Sequence, residues 1–200
     1  MLGYLCALRG QNRRAEQLFD ECLDLDPLTP LNHCMPGFVA IMEGRYADAL
    51  PLYRRFLEMD PKNPFAVWTW SYVLLRNGRI HEAAEAVREL NSEHAGSALA
   101  QLGTALFHGV CAEPEAAREA VTDELRAAAR NSELLFRELT HCLALSGESE
   151  DALNWLENTV RIGNINYPFW SRHDAWVDSI RGHCRFDAIM RDVEREWLSV

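Results

Sequence analysis

Five alanines constrain this chain more than any other feature: Ala15, Ala49, Ala83, Ala117 and Ala152 stand 34, 34, 34 and 35 residues apart. A second series of small residues, Gly3, Gly37, Ser71, Ala105 and Thr140, precedes each alanine by twelve residues. Glycine recurs five residues before the alanine at Gly10, Gly44, Gly78 and Gly147. Self-similarity at a fixed period of this length marks a repeat architecture, in which each unit buries its apolar face only against its neighbours. With 200 residues, 48% of them hydrophobic, there is material for several such units in an elongated stack.

Within the period the apolar residues follow helical spacing. Ala15, Leu18, Phe19, Cys22 and Leu23 form an i, i+3, i+4, i+7, i+8 stripe, which predicts a helix over Arg13 to Asp24 with that stripe inward. Asp26-Pro27 and Asp60-Pro61 stop the helices before them, because proline disfavours helical geometry in the residue it follows. The same reading gives helix pairs over Leu31–Glu43 and Ala47–Met59, and over Phe65–Arg76 and His81–Leu90. Two further pairs fall over Leu99–Val110 and Pro114–Arg130, and over Glu133–Ser146 and the helix opened by Ser149. In the fourth pair Glu113-Pro114 takes the place of the turn glycine. The small-residue series lets paired helices approach closely, and Phe19, Tyr53, Val87, Val121 and Leu156 are expected to fill the space between units.

A 34-residue helix-turn-helix with a small residue, turn glycine, alanine, aromatic and terminal proline at these offsets resembles the tetratricopeptide repeat. Gly37, Gly44, Tyr46, Ala49, Tyr53 and Pro61 carry the likeness best, and Gly3, Gly10, Ala15, Phe19 and Pro27 repeat it. The resemblance implies an all-α, right-handed solenoid of about five units (residues 1–29, 30–63, 64–97, 98–132 and 133–166) with a C-terminal helical cap over 167–200. The register enters the first unit part-way through its first helix. That leads to the expectation that the chain is the C-terminal part of a longer protein.

The tail supports the same expectation. Tyr167-Pro168-Phe169, Asp174, Ile180-Arg181-Gly182 and Arg185-Phe186 resemble the end of repeat regions in bacterial signalling proteins, in which serine/threonine kinase, TolB-like or winged-helix domains precede the repeats. Ala175 and His183-Cys184 depart from that pattern. Pro168 excludes a helix running through all of 166–170, while His173–Arg181 and Arg185–Leu198 read as helices.

Composition narrows the function. Thirty acidic against twenty basic residues argues against a nucleic-acid or anionic-membrane surface. Lys62, the only lysine, sits in a turn, so no lysine nucleophile is at hand. The six cysteines form no C-x-x-C, and Cys6, Cys22 and Cys142 fall at apolar positions of the repeat, which reads as free thiols in a reducing, cytoplasmic setting. No phosphate-binding glycine loop, kinase signature or acid–base pair stands out, so the chain reads as non-enzymatic and without a cofactor. His33-Cys34, His141-Cys142 and His183-Cys184 invite a zinc hypothesis. However, tetrahedral binding needs four convergent ligands, and these pairs lie in separate units.

In the resembled family the first helix of each unit lines a concave groove. Carried over by register, Tyr4, Phe38, Met42, Trp68 and Tyr72 give that groove an apolar, aromatic floor, with Arg76, Arg137 and His141 as its polar markers. The resemblance implies a non-catalytic interaction scaffold that takes an apolar or amphipathic segment of a protein or peptide, an upstream domain of the same protein included. Two alternatives stand beside it: a spacer or dimerisation element for an upstream domain, and a metal-binding or enzymatic helical domain using the His and Cys residues. Whether the groove is open or filled by the cap is left undecided by the residues alone.

Overall fold

The computed structural model describes residues 1–130 and 132–199; Asn131 and Val200, the last residue of the expected capping segment, lie outside them. The described residues contain helices and turns and no strand. The helices follow as hairpins: α1 (Leu2–Leu8) with α2 (Asn12–Leu25), α3 (Pro30–Met42) with α4 (Tyr46–Met59), and α5 (Pro64–Arg76) with α6 (Ile80–Glu93). Next come α7 (Ala98–Val110) with α8 (Pro114–Ala120) and α9 (Asp123–Ala129), then α10 (Glu133–Leu145) with α11 (Ser149–Arg161). A π-type turn (Phe169–His173), a 3-10 helix (Ala175–Ile180) and α12 (Cys184–Leu198) complete the chain. Each helix packs on its hairpin partner, and α2 on α3, α4 on α5 and α6 on α7 join successive hairpins. The result is an all-α solenoid.

The alanine series is the seam of this stack, and all five of its members have no exposed surface. In the first two hairpins the glycine twelve positions earlier, Gly3 or Gly37, faces the aromatic residue of its own hairpin. A Cβ placed on Gly3 would come within 2.6 Å of the Phe19 ring, and one on Gly37 within 3.0 Å of the Tyr53 ring. Phe19 and Tyr53 therefore lock the two helices of one unit together as well as packing between units. Cys22, placed by periodicity in the core stripe, is exposed near the end of α2.

Proline at the first position opens α3, α5 and α8, where its missing N–H costs nothing. The turn glycines all take left-handed backbone, with φ of 73° at Gly10, 72° at Gly44, 68° at Gly78 and 81° at Gly147. In the fourth hairpin Ala112 occupies the same register with φ of 59°, so the turn is conserved in shape and an alanine bears its strain. The expected Glu113-Pro114 replacement is therefore a left-handed turn followed by a proline-led helix. Ala112→Gly should raise the unfolding free energy by about 1 kcal/mol, read as a shift in urea midpoint, because left-handed backbone costs a Cβ-bearing residue about that much.

The helix expected over Pro114–Arg130 breaks at Val121. Thr122 accepts from the Leu125 N–H at 3.2 Å and donates to Gln101 Oε1 at 3.0 Å, capping a new helix whose first turn holds Asp123 and Glu124. A side-chain oxygen followed by two acids is a strong helix start, and here it outcompetes continuation. The extra residue in the last alanine interval falls in this region.

Candidate functional site

The first helices α1, α3, α5, α7 and α10 line the concave side, and the C-terminal segment lies across part of it. Asn166 Nδ2 donates to the Ala7 carbonyl at 2.9 Å, and the Tyr46 hydroxyl to the His173 carbonyl at 2.5 Å. Arg76 reaches Asp174 at 2.6 Å, and Ser179 Oγ donates to the Ala144 carbonyl at 2.7 Å. One stretch of chain thus touches the first, second, third and fifth hairpins. Its descent onto the stack is close: a Cβ at Gly44 would meet the His173 ring at 2.9 Å.

At the centre of this contact is a buried chain of charges. Asp174, with no exposed surface, accepts from Arg76 Nη1 on one oxygen at 2.6 Å and from His141 Nε2 on the other at 2.6 Å. His141 Nδ1 donates to Glu138 Oε2 at 3.0 Å, and Glu138 Oε1 accepts from Arg137 Nε at 2.8 Å and Nη2 at 2.7 Å. Both ring nitrogens of His141 face carboxylate oxygens that accept only, so the ring holds both protons and is an imidazolium. Trp176 covers the Arg76 guanidinium at 3.4 Å, and the Tyr72 hydroxyl accepts from Arg76 Nε and Nη2 at 3.1 and 2.9 Å.

The charges are held by one another. Burial opposes ionisation of Asp174, but Arg76 and then His141 outweigh it and keep its carboxyl well below the usual carboxylate range. Burial likewise opposes Glu138, and Arg137 and His141 bring it down. Burial would lower His141, but Asp174 and then Glu138 raise it above the ordinary histidine value. A raised histidine contributes stability that is complete below its unfolded value of about 6.5 and is lost as pH rises through the folded value. The depressed carboxylates contribute above their unfolded values of about 4 and lose that contribution as pH falls. The urea midpoint should therefore be highest between about pH 4.5 and 6.5. Its alkaline decline should be largely absent from His141→Gln.

Beside this sealed region the groove stays open. A cavity of about 440 Å³ is walled by Tyr4, Phe38, Trp68 and Tyr72 with Arg137 and the first turn of α10. Tyr4 and Phe38 lie 4.9 Å apart between ring centres, and Arg137 sits over Phe38 at 5.1 Å. Along α5 the rings of Phe65, Trp68 and Tyr72 follow at 5.7 and 5.6 Å, and Tyr72 then meets Trp176 edge-on at 5.1 Å. Aromatic contact thus runs without interruption from the cavity to the C-terminal segment. A concave, largely apolar hollow of this size with few polar groups is the usual form of a binding site.

The residues picked out by register divide between the two regions. Tyr4, Phe38, Trp68, Tyr72 and Arg137 line the cavity, whereas Arg76 and His141 are engaged by Asp174 and Met42 is fully buried in the core. Asp174 and Trp176, which complete the polar cluster, were not among the groove residues read by register. Their signal was chemical: three cationic side chains in an otherwise apolar groove, and Asp174 beside the aromatic residues of the tail. Cys6, Cys34 and Cys142 are buried free thiols, and burial pushes Cys34 up to about 12. Among the described residues no three His, Cys, Asp or Glu side chains are placed to hold a metal ion. None of their helices is long and apolar enough to cross a membrane.

Fold and groove together define an all-α helical-repeat architecture with a concave face. The tetratricopeptide repeat family matches residues 40–106, from the end of α3 into α7, a segment that carries Met42, Trp68, Tyr72 and Arg76. No curated protein matches the chain. Repeats of this family generally mediate protein–protein interaction and are generally non-catalytic.

Proposed function

We propose that this chain is a non-catalytic protein-interaction scaffold whose open half-groove takes an apolar or amphipathic segment of a protein or peptide. The observation that carries the reading is the aromatic cavity left beside the C-terminal segment. Tyr4, Phe38, Trp68 and Tyr72 are rigid anchors of the kind that dominate interface energies, and they share one hollow. The likeness of the tail to repeat regions of bacterial signalling proteins supports a place in such a regulatory protein, with an upstream effector domain. In that arrangement the segment in the groove belongs to a partner or to that domain.

Affinity capture from lysate tests the reading, with wild type compared with Tyr4→Ala and Trp68→Ala after circular dichroism has verified their folding. Proteins retained by wild type should be lost by both variants and kept by Arg191→Ala, an exposed position on α12. An unchanged set of retained proteins in the cavity variants would contradict the reading.

A further inference from the structure

The end of the stack formed by the first hairpin is built unlike the rest of the surface. Eight large apolar side chains are exposed among the described residues, and six of them, Met1, Leu2, Leu5, Leu25, Leu28 and Leu31, lie between the start of α1 and the start of α3. A concentration of this kind marks an interaction surface, whereas apolar residues scattered singly do not.

Helical spacing sorts these side chains by face. Tyr4 packs on Phe38 of α3, and Glu16 of α2 reaches Arg45 in the turn after α3, so those sides of α1 and α2 look toward the second hairpin. Leu2, Leu5 and Arg9 lie on the other side of α1 at i, i+3 and i+7. Arg14, Leu18, Glu21 and Leu25 lie on the other side of α2 at i, i+4, i+7 and i+11. Leu18 is half-buried and the remaining six are exposed. The end face is thus a pair of antiparallel helices with an apolar centre, arginines toward their joining turn and an acid toward their open end. None of Arg9, Arg14 and Glu21 takes part in an ion pair among the described residues, although Arg45, Arg79, Arg118 and Arg126 of later hairpins all do.

This pattern is complementary to itself. Gly3 faces Phe19 across the hairpin, which sets Leu5 level with Leu18. A two-fold axis crossing both helices at Leu5 and Leu18 lays α1 against α1 and α2 against α2 of a second copy, each pair antiparallel. Leucines then meet at the centre. Arg14, four residues before Leu18, comes against Glu21 of the second copy, three residues after it, and Arg9 approaches the same carboxylate. By symmetry each contact forms twice. The opposite end of the stack offers no such match, because Asp187, Arg191, Asp192 and Arg195 make the exposed side of α12 polar.

We infer that the outer face of the first hairpin is a self-association surface, on which a second copy of this chain docks across a two-fold axis with Leu5 and Leu18 at its centre and Arg14 paired to Glu21 of the other copy. The surface is separate from the groove, and the inference holds whatever the groove takes.

Sedimentation equilibrium of the full chain tests it. With rising concentration the mass of wild type should approach twice that of the chain and stop there. Arg14→Glu and Glu21→Arg should each weaken the dimer at least about tenfold, since either change sets like charges together at two places. The double variant Arg14→Glu/Glu21→Arg restores both pairs with their signs exchanged and should return to within about threefold of wild type. Leu5→Asp should leave a monomer, with circular dichroism reading the folding of every variant. A wild type that stays monomeric, growth beyond the dimer, single reversals as tight as wild type, or a double variant no tighter than the single ones would overturn the inference.

Discussion

Asp174→Asn should lower the unfolding free energy by about 3–5 kcal/mol, the usual cost of removing one member of a buried ion pair. The change keeps the side chain's shape, so the loss is electrostatic. Arg76 and His141 both donate to this carboxylate, and neither has water as a substitute, since Asp174 has no exposed surface. An asparagine offers one acceptor in place of two and turns an N–H₂ group toward one of the two cations. The unpaired charge then sits in a medium where desolvation is not returned by attraction. Urea denaturation near pH 6 reads the effect. Asp178→Asn is the control: this acid lies in the same segment but is exposed, and its 2.7 Å pair with Arg181 should be worth less than about 1 kcal/mol. Equal small effects from both substitutions would show that the buried pair does not hold the segment.

Trp170→Ala should cost a similar amount, about 3–5 kcal/mol, by a different route. Its indole has no exposed surface and packs against Phe169 at 5.1 Å and His141 at 5.8 Å between ring centres, and Nε1 donates to the Asn164 carbonyl at 3.2 Å. Truncation removes that apolar burial and leaves a cavity that the surrounding helices cannot close. The two variants separate on pH. Loss of Trp170 removes no titrating group, so its stability curve should lie below wild type by a near-constant amount from pH 5 to 8. Loss of Asp174 removes the strongest influence raising His141, so the alkaline decline should begin at lower pH. Parallel curves for both variants would mean that His141 is not coupled to the tail.

The repeat was legible because it rests on side-chain volume at fixed register. Any large residue at Ala49 or Gly37 would be overpacked, and so the sequence wears the constraint openly. The turn at Ala112 was less legible, because left-handed backbone is inferred from glycine and here an alanine adopts it. The break at Val121 is written locally in Thr122-Asp123-Glu124, although the helical pattern of apolar residues continues across it. Local chemistry decided the backbone against the longer-range period.

The site was half legible for a related reason. Register names the residues that face the groove, and the cavity residues are among them. It says nothing of what the groove holds, because Asp174 finds Arg76 across 98 positions of sequence and His141 across 33. Only charge complementarity linked them, through Arg76 and His141 in an apolar groove and the acid Asp174 in the tail.

Native-state hydrogen exchange of the C-terminal segment tests the central claim, that this segment is bound in the groove through Asp174 and leaves the aromatic cavity as the open face. The amides of Trp170, Asp174 and Trp176 are hydrogen-bonded to the Asn166 carbonyl, the Phe169 carbonyl and Asp174 Oδ1. They should exchange in wild type about as slowly as the core amides of α5, and at least tenfold faster in Asp174→Asn, more than the α5 amides accelerate. Exchange of these three amides within seconds in the wild-type protein, or protection unchanged by the substitution, would contradict it.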